Sequence, residues 1–331
     1  MRSEAAYNLL ESPVQPNDWA KSAVNSLIFF SVGTYFCGLT SSDPVATRTL
    51  ASVGTLIFVV ALAVKSFSSE SSSEPLKESL LDSCKQTPLR EQINLCSVAG
   101  LLNCLGYFAL FMGYYYDPSA IGVTTSVVLG TGLTSAGLAY YIYDEKLSPS
   151  QLTGMGVITA GLVLLALQNS AEGTFAAFLS GFTALGLFTC RELLSRAFER
   201  KGMDQKVCSI ISLTTEGMFG IYLGVFMTVF GSGFSISNWE SFLAILGGIF
   251  NAIGMYYLNK GIMTGYTGPT VCISNMASLL MVGMQFVHSG SLPSVLKSFG
   301  MLVCLSGVCF LFLGESFLAR LGYRAKAAKS L

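Results

Sequence analysis

Charge is scarce in this sequence. Only 11% of its residues are Asp, Glu, Lys or Arg, against about 25% in soluble domains. Acids and bases balance at 19 each, so no basic excess points to nucleic acid. Histidine occurs once, as His288. No HExxH, GxSxG or paired aspartates accompany it, so the groups of a hydrolase or a metalloenzyme are missing. We therefore expect no enzyme, no cofactor and no metal. The nine cysteines form no CxxC pair and lie mostly within apolar runs. They read as small packing residues, not as a disulfide or zinc framework. No Asn-x-Ser/Thr site marks an outer loop, and endomembrane and plasma membrane both stay open.

What is present is apolar: 52% of residues are hydrophobic and the mean hydropathy is +0.59. Ten stretches match the roughly 20 residues a helix needs to cross a ~30 Å hydrocarbon core. They run over 20–40, 44–64, 93–115, 119–142, 150–168, 174–197, 207–230, 240–260, 266–287 and 294–314. The fold expected is an all-α integral membrane protein of ten transmembrane helices. No basic n-region precedes the first stretch, which reads as a retained anchor. With the N-terminus in the cytosol, every Lys and Arg except Arg48, Arg191 and Lys297 falls on the cytosolic side. One span more or fewer would destroy that asymmetry. Both termini are then cytosolic: a tail over 1–19 and a basic tail over 315–331. The 66–92 segment, rich in Ser and Glu, cannot bury a core and reads as a disordered cytosolic linker. Tyr7-Asn8-Leu9-Leu10 has the form of an endosomal sorting signal, a pattern short enough to arise by chance.

The chain also repeats itself. Gly100, Asn103, Gly106, Leu110 and Gly113 recur at one constant offset as Gly248, Asn251, Gly254, Leu258 and Gly261. Gly154 and Gly161 are echoed by Gly300 and Gly307, each pair following a proline-containing loop. Each half (20–168 and 174–314) thus holds five segments. An odd number makes the second half enter the membrane upside down, the inverted-repeat plan of many secondary carriers.

Tyr143-Asp144-Glu145-Lys146-Leu147-Ser148-Pro149-Ser150-Gln151-Leu152-Thr153-Gly154, followed by an apolar run with Gly161, resembles the drug/metabolite transporter superfamily, EamA-like branch. Asp43-Pro44 leading into Arg48 is similar to it as well. The resemblance covers about 20–314. It implies a carrier for small organic solutes, with nucleotide-sugar and sugar-phosphate carriers as sister branches. The second half departs from the pattern at Ser291, where the family often repeats the acidic residue.

Polar groups inside lipid are costly and need a reason. Arg48 and Glu216 occupy equivalent places in the two halves with opposite charge. Arg48 could hold an anionic group, and Glu216 a cation or coupling proton. The blander alternatives are an Arg48 that snorkels to the interface and a Glu216 that pairs with a neighbouring helix. Asn103 and Asn251 suit sugar hydroxyls or base edges, or else bond between packed helices. Asn275 and Gln285 read the same way. Lys260 and Arg191 lie toward cytosolic ends and read as anchors, with Lys260 the first choice for a phosphate contact. The small-residue stripe Gly122, Ser126, Gly130, Thr134 predicts close helix packing. The partners expected are a small solute and the lipid bilayer, with a homodimer left open and no nucleic acid. A channel or receptor-like bundle is the alternative to a carrier.

Overall fold

Apolar runs of this length have one way to satisfy their backbone groups in lipid, which is as helix. The computed structural model describes residues 18–40, 43–68, 87–116, 121–167, 175–230, 236–290 and 295–320. Among these, every regular element is helical. The helices are α1 (Asp18–Gly38), α2 (Pro44–Ser68), α3 (Leu89–Tyr116), α4 (Ile121–Leu129), α5 (Thr131–Tyr143) and α6 (Pro149–Leu167), then α7 (Phe175–Arg200), α8 (Gln205–Phe230), α9 (Asn238–Thr264), α10 (Thr267–Asn275), α11 (Ala277–Ser289) and α12 (Val295–Arg320). The 1–17 tail with its Tyr7 motif, most of the 66–92 linker, Ser291 and the end of the basic tail lie outside the described residues. The linker is shorter than expected: α2 continues to Ser68 and α3 begins at Leu89.

The starts of the helices follow local chemistry. The Asp43 carboxylate accepts from the Ala46 N–H at 3.0 Å, with Pro44 in the first helical position. Ser148 and Gln151 cap α6 reciprocally ahead of Pro149, as Ser237 and Glu240 cap α9. The Asp204 carboxylate receives the Lys206 and Val207 N–H groups at the start of α8.

Among the described residues, four helical stretches are long and apolar enough to cross a membrane: Val45–Ser66, Leu89–Gly113, Gln205–Val229 and Asn238–Thr264, with mean hydropathy of 1.5 to 1.9. Their outer faces are apolar, since Val60, Val98, Val229 and Phe242 are all exposed. The interior instead holds small polar residues such as Ser26, Ser52, Thr55, Ser135 and Ser209. That inversion of a soluble protein's pattern suits a lipid surround.

Two expected spans are each split. The fourth breaks at Gly130 between α4 and α5, and the ninth at Met276 between α10 and α11. The break residue bonds back three places in both: Gly130 N–H to the Val127 carbonyl and Met276 N–H to the Ile273 carbonyl, each at 3.1 Å. The small-residue stripe is therefore interrupted at Gly130, where the helix changes register.

Packing follows a doubled scheme. Helix α1 lies along α9, and α3 along α7; α9 also meets α2, and α3 meets α8. Helix α2 crosses α8, and α6 crosses α12. At the α6–α12 crossing a Cβ on Gly154 would stand 2.8 Å from the Gly307 carbonyl, and one on Gly307 2.9 Å from that of Gly154. Only glycine permits that approach. The first and last helices meet at one end of the bundle, where the Trp19 and Phe312 rings stack at 6.0 Å. Near the same end Tyr266 packs edge-on against Trp19 at 5.9 Å.

Candidate functional site

The centre of the bundle is the crossing of α2 and α8. There the Arg48 guanidinium meets the Glu216 carboxylate at 2.8 Å. The two side chains are 15% and 7% exposed, so Arg48 does not snorkel to an interface. The other carboxylate oxygen accepts from the Asn103 amide on α3, also at 2.8 Å. One turn later Tyr107 lays its ring 4.4 Å from the Arg48 guanidinium carbon. A buried charge persists only when paired and hydrogen-bonded, and both oxygens of Glu216 are so held. Arg48 gains the face of an aromatic ring. Its Nε remains buried without a hydrogen-bond partner among the described residues.

Two hollows adjoin this pair. One, about 200 Å³ with its open mouth, is lined by Arg48, Thr55, Tyr107, Glu216, Asn251 and Met255 among others. The other, about 480 Å³ with its open mouth, is lined by Arg48, Thr49, Phe108, Phe111, Leu223 and Met227 among others. Arg48 stands between them. Asn251 packs where α1 offers Gly33, accepts weakly from Thr34 at 3.5 Å and approaches the Cys37 sulfur at 3.9 Å. The equivalent amides thus do different work: Asn103 is committed to Glu216, while Asn251 faces the smaller hollow.

Of the polar residues singled out in the sequence, Arg48, Asn103, Glu216 and Asn251 come together here. Lys260 does not; it stands nine residues further along α9, about 13 Å at helical rise, and lines neither hollow. Asn275 ends α10 and serves the other break: its amide donates to the Leu129 carbonyl at 3.4 Å and to the Thr131 hydroxyl at 3.1 Å. The side chain of Gln285 lies outside the described residues.

Sequence reasoning missed a second polar layer. Arg191 is 3% exposed and bonds to Asn259, whose oxygen also accepts from Ser195 at 3.3 Å. It also touches the sulfur of Met255, a residue of the smaller hollow. Its neighbour Glu192 accepts from Ser135 on α5. The signal was present as two adjacent charges inside the Phe175–Arg200 helix. Closeness to a basic helix end disguised Arg191 as an anchor, and Glu192 was not singled out.

Beyond this layer the ends of several helices are tied together. Glu145, in the loop after α5, accepts from the Thr267 N–H at 2.7 Å and the Thr267 hydroxyl at 3.0 Å. Arg196 of α7 stands 3.4 Å from the same carboxylate and donates to the Ile262 carbonyl at 3.1 Å. Burial pushes the Glu145 carboxyl above its ordinary range, and Arg196 with the two Thr267 bonds opposes that. The Tyr143 hydroxyl donates to the Leu193 carbonyl at 2.9 Å, and Arg200 to the Tyr143 carbonyl at 2.7 Å. No group of three or more metal-ligating side chains occurs among the described residues.

No family model matches the chain, and no curated protein matches it either. A protein of solved crystal structure is similar to it with a TM-score of 0.69 at 16% identity, over 93% of this chain and 99% of that one. That likeness establishes a shared fold over nearly the whole of both chains.

Proposed function

We propose that this protein is a secondary-active carrier that moves a small organic solute across a membrane by alternating access. Its ten crossings form two inverted five-helix repeats, which fits the resemblance of residues 143–154 to the EamA-like branch of the drug/metabolite transporters. One observation carries the reading: two helices are broken at equivalent places of the two halves, and the two breaks meet. Leu129 and Asn275, which precede the breaks, are 146 residues apart and in contact. Discontinuous helices near the bundle centre are a recurring device of secondary carriers, because the freed backbone groups face a cavity, not lipid. Twelve helices then group into ten crossings. The meeting of Trp19 with Phe312 supports an even number, with both termini on one face. The basic residues Arg196, Arg200 and Lys201 gather at the α7–α8 turn, which supports calling that face cytosolic.

The solute site in this reading is the pair of hollows around Arg48. The guanidinium offers one unengaged N–H and Asn251 a lightly held amide, a set suited to an anionic or hydroxyl-bearing solute. Nucleotide sugars and sugar phosphates are the classes to try first. The test is saturable counterflow of a labelled solute in proteoliposomes, after a thermal-shift screen of nucleotide sugars, sugar phosphates, amino acids and purines. We expect one class to stabilise the protein, and Asn251→Ala to weaken that response by about tenfold or more in affinity. Ohmic, unsaturable current in place of counterflow would sink the carrier in favour of a channel.

A further inference from the structure

Among the described residues, two carboxylates within the helices are buried, and their surroundings differ. Glu216 has a guanidinium on one oxygen and an amide on the other. Glu192 on α7 is equally buried, at 4% exposure, yet its hydrogen-bond partner is the neutral hydroxyl of Ser135. No ion pair involves Glu192 among the described residues. Arg191 is next in sequence, but successive side chains on a helix diverge by about 100°, and its guanidinium is turned to Asn259 and Met255. The titratable groups facing Glu192 are Arg191 on its own helix and the thiol of Cys272 on α10. Neither is bonded to it.

We propose that Glu192 is a proton-binding site and that the proton it carries couples solute movement to the transmembrane proton gradient. The coupling half of this inference rests on the carrier reading; the site itself does not. A carboxylate held by a hydroxyl alone, away from water, is the kind of group that cycles between charged and neutral forms in membrane proteins. When ionised it accepts from Ser135. When neutral it leaves no charge in the interior, and its own O–H can donate to the serine oxygen. The proton arrives from water on one face and leaves to water on the other, so only O–H bonds form and break.

Its position connects this to movement. Ser135 lies on α5, five residues beyond the break at Gly130. The charge on Glu192 therefore bears on how the half-helix is held against α7. On the side of the 144–148 loop, the same pair of helices is tied again by the bond of the Tyr143 hydroxyl to the Leu193 carbonyl, and Arg200 bonds to the Tyr143 carbonyl.

Infrared difference spectra of the full chain in lipid, taken between acidic and alkaline buffer, test the site directly. The expected result is a titrating buried carboxylic C=O band that is lost in Glu192→Gln and kept in Glu145→Gln. Ser135→Ala, a milder change, should move the band to higher frequency, because a carbonyl freed of its hydrogen bond is less polarised. A band unaltered in both Glu192→Gln and Ser135→Ala overturns the site. For coupling, vesicles loaded with a pH-sensitive dye are given an equimolar mixture of a nucleotide sugar, a sugar phosphate, an amino acid and a purine. Solute-dependent acidification should fall by about tenfold or more in Glu192→Gln while counterflow persists. Unchanged acidification overturns coupling and leaves the band to decide the site. Absence of counterflow in the unmodified protein defeats the carrier reading instead, and the infrared result still stands by itself.

Discussion

In the first half of the chain, α3 presents Gly100 to the Ser212 carbonyl of α8 and Gly106 to the ring of Phe188 on α7. In the second half, α9 presents Gly248 to the Ala51 carbonyl of α2 and Gly254 to the ring of Phe30 on α1. The close contacts are thus duplicated, residue for residue, with the partner helices exchanged. The charges are not. The register that matches Ser212 with Ala51 makes Ser209 the counterpart of Arg48 and Thr55 that of Glu216, so the equivalence expected of Arg48 and Glu216 does not hold; they are partners across the halves instead. Arg191 and Glu192 on α7 have no counterpart on α1, whose only charged residues are Asp18 and Lys21 at its start. Packing positions are constrained by the backbone approach of helices, which a doubled fold needs twice. A polar centre needs only one copy of each group, placed where the halves meet.

The most disruptive way to probe that contrast is to unpair the centre. Glu216→Leu leaves the Arg48 charge buried without its carboxylate. Removing one partner of a buried pair costs about 3–5 kcal/mol, to be read as a lower Tm in detergent. Arg48→Met combined with Glu216→Leu should recover most of that loss, since no lone charge remains. The exchange Arg48→Glu with Glu216→Arg should also fold better than either single change, yet fail in solute flux, because the guanidinium would leave the larger hollow. An unchanged Tm in Glu216→Leu would mean the pair does not hold the crossing of α2 and α8.

The duplicated contacts give the next largest effect. A Cβ on Gly100 or Gly248 would intrude on a backbone carbonyl that cannot swing away. Overpacking of this kind costs about 1–3 kcal/mol, so Gly100→Ala and Gly248→Ala should lower Tm by similar amounts. Gly156→Ala is the control, because a Cβ there would meet nothing within 4 Å. At that position the substitution should stabilise by roughly 0.4–1 kcal/mol through the unfolded chain. A large effect at one of Gly100 and Gly248 and none at the other would break the equivalence of the halves.

How much of this could be read in advance varies with the kind of signal. Helix positions were legible because apolar runs of crossing length carry their own boundaries, and Asp43-Pro44 and Ser148-Pro149 fix two helix starts locally. The glycine spacing disclosed the repeat but not which surfaces meet; the structure brings Gly154 and Gly307 face to face. Arg48, Asn103, Glu216 and Asn251 were found as candidates, but not that Arg48 and Glu216 bind one another. Contact between residues 168 apart depends on how two helices cross, which periodicity does not record. The breaks at Gly130 and Met276 were also hidden. Neither residue is a proline, and the backbone there leaves the α pattern by a single three-residue hydrogen bond. Arg191 was read as an anchor because of its distance from the basic end, and Glu192 beside it was not singled out.

The smallest test concerns the breaks themselves, and it again sets one half against the other. Where a helix stops, its last carbonyls lose their partners. At the break in the first half the Leu129 carbonyl receives the Asn275 amide, which also reaches the Thr131 hydroxyl. The first half has an apolar residue, Leu129, at the place equivalent to Asn275, so the service runs in one direction. Asn275→Leu removes one or two interhelical bonds and should cost about 0.5–1.5 kcal/mol, seen as a modest fall in Tm. Adding Leu129→Asn to it moves the amide to the opposite helix, where it can reach the residue 275 carbonyl. Residue 277 is alanine, however, and offers no hydroxyl to replace that of Thr131. The double variant should therefore recover part of the loss and not all of it. Full recovery would mean that the hydroxyl contributes nothing, and no recovery would mean that the two break points are not interchangeable.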